Sequence, residues 1–191
     1  RETDLAEHSW QLAAMIARMA GSIKGWQPPA GFSECLLLDL ASRLAASGQW
    51  RGAQRALEVA AEVAPGSAAA WLGLGALHER TGDPEEAVSA LERLLRDHPG
   101  HAEGRLRLAV NRARLGASRA AEELLRGLLA PSTPLWIRTL AYQELCGLLA
   151  ANNRHDEAVA VVQEALARIP DNQRLRILEV HALDLAGRSR D

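Results

Sequence analysis

The strongest constraint on this chain is a spacing. The segment TGDPEEA sets Gly82 five residues before Ala87. The same pair recurs 34 residues earlier as Gly48 and Ala53, and 34 residues later as Gly116 and Ala121. A step of 37 then reaches Asn153 and Ala158, and a further 34 reaches Gly187. Asn is the usual substitute for Gly where a helix ends in the left-handed conformation. The period is therefore 34, with one three-residue insertion near PSTPLW. A period of that length marks stacked supersecondary units, each unable to bury its apolar face alone.

Each unit reads as helix, tight turn, helix. In residues 68–101 Ser67 is placed to cap the first helix and Gly82 to end it. Asp83 then caps the second helix, Pro84 takes its first position and Glu86 completes a capping box. Glu85 and Glu86 suit the positive end of the helix dipole. Apolar residues recur at 71, 74 and 77, and again at 87, 88, 91, 94 and 95, one stripe per helix.

These residues carry a resemblance to a known family. Trp71, Leu74, Gly75, Ala87 and Pro99 resemble the tetratricopeptide repeat (TPR) pattern, with Leu91 where the family has Phe and His78 where it has Tyr. A first unit supplies Leu40, Ala41, Ala53, Ala60 and Pro65, with Trp50 after the turn; a fourth supplies Tyr142, Leu145, Ala158, Ala165 and Pro170. The third is weaker, with Arg105 and Arg112 at positions of large aromatics. The resemblance implies an all-α fold, a right-handed α-α superhelix of antiparallel helix pairs. Gly75 and Ala87 would lie where the two helices of a unit cross closely.

The expected repeats span about 34–67, 68–101, 102–138 and 139–172, followed by a final helix over 173–187. That helix is either a terminal cap or the first half of a fifth unit in a parent chain continuing past Asp191. Residues 1–33 read as an amphipathic helix, with Leu5, Leu12, Ile16 and Met19 on one side, and an irregular connection. This segment is a capping or degenerate repeat, or else an interaction helix turning Trp10, Met15 and Met19 towards a partner. The start at Arg1, without methionine, reads as a fragment or a processed form.

Composition narrows the function. The net charge is −2, and Lys24 is the only lysine. Neutralising phosphates requires a basic excess, so an RNA-binding repeat is disfavoured and no nucleic-acid partner is expected. So arginine-rich and alanine-rich a chain fits a GC-rich, bacterial genome. Hydrophobic residues form 48% of the chain, yet no run approaches the ~18 needed to span a bilayer, so direct membrane insertion is not expected. Cys35 and Cys146 are too few for a disulfide framework or a zinc site and read as small buried apolar residues. The compartment stays open between cytosol and periplasm.

No set of residues looks catalytic. His98 and His101, with Asp97, lack the further ligands a metal needs and read as a polar turn. His155 and Asp156 sit at a helix start, where Asp is expected as a dipole partner. No catalytic residue, metal or cofactor is expected. The resemblance instead implies a concave face lined by the first helix of each unit. Its expected partner-binding positions are Leu38, Ser42, Leu72, Ala76, Arg80, Leu106, Arg107, Val110, Arg114 and Gln143. Leu38, Leu72 and Leu106 would form an apolar stripe for an amphipathic helix or extended peptide, with Arg80, Arg107 and Arg114 beside it for carboxylates. The clamp by which the family best holds a C-terminal carboxylate is essentially absent: Leu38, Ser42 and Gly73 occupy its positions. The expected function is a protein-interaction scaffold, binding another protein or peptide. The alternative is a regulatory or substrate-presenting domain joined to a catalytic one. Self-association remains open, because solenoid ends expose apolar surface.

Overall fold

Left-handed residues punctuate the chain at the expected places. Gly82 has φ 87° and Asn153 has φ 59°, and Gly48, Gly116 and Gly187 are likewise left-handed. At each, the same kind of backbone bond closes the turn. Asp83 N–H donates to His78 O at 2.9 Å, Ala117 N–H to Arg112 O at 2.8 Å and Arg154 N–H to Leu149 O at 2.9 Å. Gln49 and Arg188 donate in the same way to Leu44 and Leu183. This six-to-one bond satisfies a carbonyl that the ending helix leaves orphaned.

The computed structural model describes Met15 and residues 31–188. Most of the expected N-terminal helix and connection, Trp10, Met19 and Trp26 included, lies outside the described residues; Met15 is helical and exposed. Residues 31–188 hold α1 (Phe32–Ala46), α2 (Trp50–Val63), α3 (Ala68–Thr81), α4 (Pro84–Asp97), α5 (Ala102–Arg114), α6 (Ser118–Gly127), α7 (Leu135–Ala151), α8 (His155–Arg168) and α9 (Gln173–Leu185), and no strand. The fold is all-α. α7 starts four residues before the boundary drawn at 139, because Pro134 takes the N-cap and sets the helix going directly after it.

Two caps differ in detail. Ser67 Oγ accepts from Ala70 N–H at 3.0 Å, as its position predicts, and donates to Glu34 at 2.5 Å. Asp83 stands at the N-cap of α4, yet its carboxylate accepts from Thr81 Oγ1 at 2.8 Å and makes no bond to the helix. Thr81 lies only two residues away, so the local turn outcompetes the capping box.

The contacts divide the chain into two compact units, Arg1–His101 and Ala102–Asp191. In the first, α1 packs on α2 and α3 on α4 around Leu37, Ala41, Leu57, Leu74, Leu91 and Leu94. A methyl built on Gly75 would sit 2.8 Å from Leu91 Cγ and 2.9 Å from Cδ2, so the glycine is what lets α3 and α4 close. Trp71 Nε1 donates to Pro65 O at 3.0 Å, and His98 Nε2 lies 2.7 Å from Gly66 O. His98 thus ties the end of α4 to the turn before α3.

In the second unit, α5–α9 enclose Tyr142, Leu145, Leu149, Val162 and Leu175, all fully buried. Ala41, Ala109 and Cys146 stand where Gly75 stands in α3, and all are buried. Their counterpart in α9, Val180, is 59% exposed, along with Ile177 and Leu185. Cys146 matches the expectation of a small buried residue, and burial pushes its thiol up. Cys35 does not: it is exposed in the first turn of α1.

A carboxylate–guanidinium cluster joins α6 to the turn before α8. Arg154 donates to both oxygens of Glu122 and to Glu157, and Arg126 reaches Glu122 at 2.8 Å. The bond from Arg154, more than any other contact, holds the Glu122 carboxyl below its ordinary range. A depressed folded pKa contributes stability above the ordinary carboxylate range, and that stability is lost as pH falls through the folded value. Thermal melts at falling acid pH therefore lose stability more steeply for the native chain than for Arg154→Gln. Equal slopes would show that the cluster contributes nothing.

Candidate functional site

The first helices of the repeats are α1 and α3 in the first unit and α5, α7 and α9 in the second. In the first, α1 and α3 run beside one another and α2 closes the space beneath them. Together they form an open cavity of about 260 Å³. α1 contributes Leu38, Ala41, Ser42 and Ala45, α2 contributes Leu57, and α3 contributes Ala69, Gly73, Ala76, Leu77 and Arg80. The cavity exists because small residues line both helices. Leu57 can reach it because position 73 carries no side chain: a methyl there would meet Leu57 Cδ2 at 2.8 Å.

Arg80 is the one charged residue of the lining. Its guanidinium carbon lies 4.6 Å from the centre of the Trp50 ring. That geometry is a cation–π contact, which holds the head in place while leaving its in-plane N–H groups to bond.

Four expected site residues, Leu38, Ser42, Ala76 and Arg80, therefore converge on this cavity. Leu72 is half-buried and does not line it. The expected residues of the second unit fare differently. Leu106 is 7% exposed and packs within the core that holds Tyr142 and Leu145, so it is a packing residue and not part of an open stripe. Its helix is buried on several sides, Gly104, Leu106, Leu108, Ala109 and Asn111 included. Arg107 pairs with Glu103 at 3.0 Å, a bond made within its own helix. Val110 and Gln143 are half-buried, and Arg114 is exposed.

Arg114 lies near enough to Glu144 to act on its charge. Burial holds the Glu144 carboxyl above its ordinary value, against the opposing pull of Arg114. Glu144 has an open solvent-facing surface nonetheless.

Three contributors were not legible as site residues. Leu57 lies on a second helix and enters the cavity from below. Trp50 follows the turn and stacks under Arg80. Leu77 is core, 4% exposed, and forms part of the lining. The available signal was Gly73, a glycine inside an alanine- and leucine-rich helix, which marks a close approach. Among the described residues, no group of three or more His, Cys, Asp and Glu gathers to hold a metal, and no helix is long and apolar enough to cross a membrane.

Helix pairs closed by the same left-handed turn at a fixed spacing define a helical-repeat protein. Residues 68–111 match the family model for the tetratricopeptide repeat. That match spans α3, α4 and most of α5 and marks this stretch as tetratricopeptide repeat. No curated protein matches its sequence. Solved structures share the fold at low identity. A crystal structure of MamA is 20% identical with TM-score 0.68, covering 81% of this chain and 83% of that one. A tetratricopeptide repeat protein from Parabacteroides merdae is 16% identical with TM-score 0.70, covering 96% of this chain and 70% of that one. YrrB, described as a TPR protein with an unusual peptide-binding site, is 17% identical with TM-score 0.62, covering 80% and 77%.

Proposed function

We propose that this chain is a non-catalytic protein-interaction module that holds a segment of a partner polypeptide against its first-helix faces. The α1–α3 cavity carries the reading. It is an apolar recess with a positioned cation at its margin, the form taken by sites that accept a side chain and fix its direction. The peptide-binding site ascribed to YrrB, on the same fold, is consistent with this use.

The test is affinity capture from host extract with the native chain and four variants. Ala69→Arg on α3 and Gln143→Arg on α7 alter first-helix faces; Ser89→Arg on α4 and Ala160→Arg on α8 alter exposed positions of second helices. The first pair should each weaken capture tenfold or more, a loss of about 1.4 kcal/mol. The second pair should leave it unchanged, with circular dichroism equal throughout. Loss from the second pair alone would move the site to the other face and overturn the reading.

A further inference from the structure

We propose that the α1–α3 cavity receives one branched aliphatic side chain of the partner segment, and that a carboxylate close to that side chain pairs with Arg80. This deepens the interaction reading above and rests on it.

Size selects the class of occupant. About 260 Å³ lies just under the roughly 300–1,000 Å³ of pockets that enclose whole small molecules. It is many times the ~30 Å³ share of one water in the liquid, so the space is not a packing defect. A single large side chain fits that range. The lining chooses its chemistry: alanines, leucines and one glycine, with Ser42 and Arg80 as the polar members. No aromatic ring lines the cavity to stack on another, so its shape and surface suit a branched aliphatic group.

Charge selects the neighbour. Arg107 already has Glu103, and Arg114 already faces Glu144. Among the described residues no carboxylate pairs with Arg80, and its ring contact with Trp50 leaves the guanidinium edge open. Arg fits a carboxylate through two parallel N–H bonds. Stacking on Trp50 fixes the plane in advance, so little freedom is lost on binding. A partner with an acidic residue beside its aliphatic anchor is therefore complementary in shape and charge together.

The experiment uses the full chain and an array of short synthetic peptides. Each peptide carries one leucine and one aspartate at varied spacing in a glycine–serine background. Matched peptides replace Asp by Asn, or Leu by Ala or by Trp. Affinities of the best peptides follow from fluorescence anisotropy. At the best spacing, Asp→Asn in the peptide and Arg80→Gln in the protein should each weaken binding about tenfold, and together by no more than either alone. Arg80→Lys should recover part of the loss. Ala76→Leu fills the cavity and should abolish binding with the melting transition retained; Gly73→Ala, which shifts Leu57, gives a milder second variant should Ala76→Leu fail to fold.

Equal affinity for Asp and Asn peptides, preference for Trp over Leu, unchanged binding by both cavity variants, or no peptide above background would each overturn the proposal. The broader reading fails separately. If Gln143→Arg still abolishes capture while Arg80→Gln and the cavity variants bind normally, the interaction module stands and this pocket assignment falls.

Discussion

Gly75→Val unfolds the chain at lower urea, and replacing Leu91 by Ala in the same molecule gives part of the loss back. The expectation follows from one contact. A single added methyl would lie 2.8 Å from Leu91 Cγ, nearer than van der Waals contact allows, and Leu91 is itself fully buried. Leu91 cannot swing into solvent, so α3 and α4 must part. Overpacking of this kind costs about 1–3 kcal/mol, and valine's slightly better helix propensity than glycine offsets only a few tenths. Leu91→Ala alone leaves a cavity and costs about 2–5 kcal/mol. In the double variant the valine occupies part of that cavity. The combined loss should fall short of the sum by about 0.5–3 kcal/mol. Strict additivity would mean that some other neighbour, not Leu91, sets the spacing of the pair.

The same contact shows what sequence could reveal. Gly75 was legible as a crossing point because small residues recur there at the period, and because Gly within a helix needs a packing reason. The turn series was equally legible: only Gly and Asn stand at the five left-handed turns of the repeat period, and steric exclusion leaves few alternatives. Depth was not legible. Leu38 and Leu106 hold one repeat position, yet Leu38 lines an open cavity and Leu106 lies in a core. Periodicity gives the direction a side chain takes from its helix; how far the neighbouring helix advances over it depends on residues elsewhere. α5, with Gly104 and Ala109 buried against its neighbours, draws them close, and Leu106 is covered. Rotamer-level choices were also hidden. Nothing in a pattern indicates that Asp83 turns to Thr81, or that Arg80 lies on Trp50, since both depend on competing partners of similar strength.

Tyr142 should be the most costly single truncation in the second unit. It occupies the repeat position of Trp71, but with a different outcome. Trp71 is half-buried and bonds the Pro65 carbonyl, whereas Tyr142 is fully buried. Its hydroxyl donates to Glu164 Oε1 at 3.3 Å and accepts from Arg168 Nη1 at 3.1 Å. Tyr142→Ala removes an aromatic ring from the centre of the unit and should cost about 3–5 kcal/mol, the range for large buried aromatics. Tyr142→Phe keeps the ring and removes only the hydroxyl, for about 0.5–1.5 kcal/mol. Burial, then the charge of Glu164, raises the tyrosine pKa above its ordinary value, against the pull of Arg168. A raised folded pKa favours the protonated form in the native state. The corresponding stability is complete below the ordinary tyrosine range near pH 10 and is lost as pH rises through the folded value. Melting temperature should therefore drop on the alkaline side in the native chain, and the drop should be shallower in Tyr142→Phe. Identical alkaline profiles would show that another group carries the loss, and a cost for Tyr142→Ala no larger than for Tyr142→Phe would show that the ring does not hold the core.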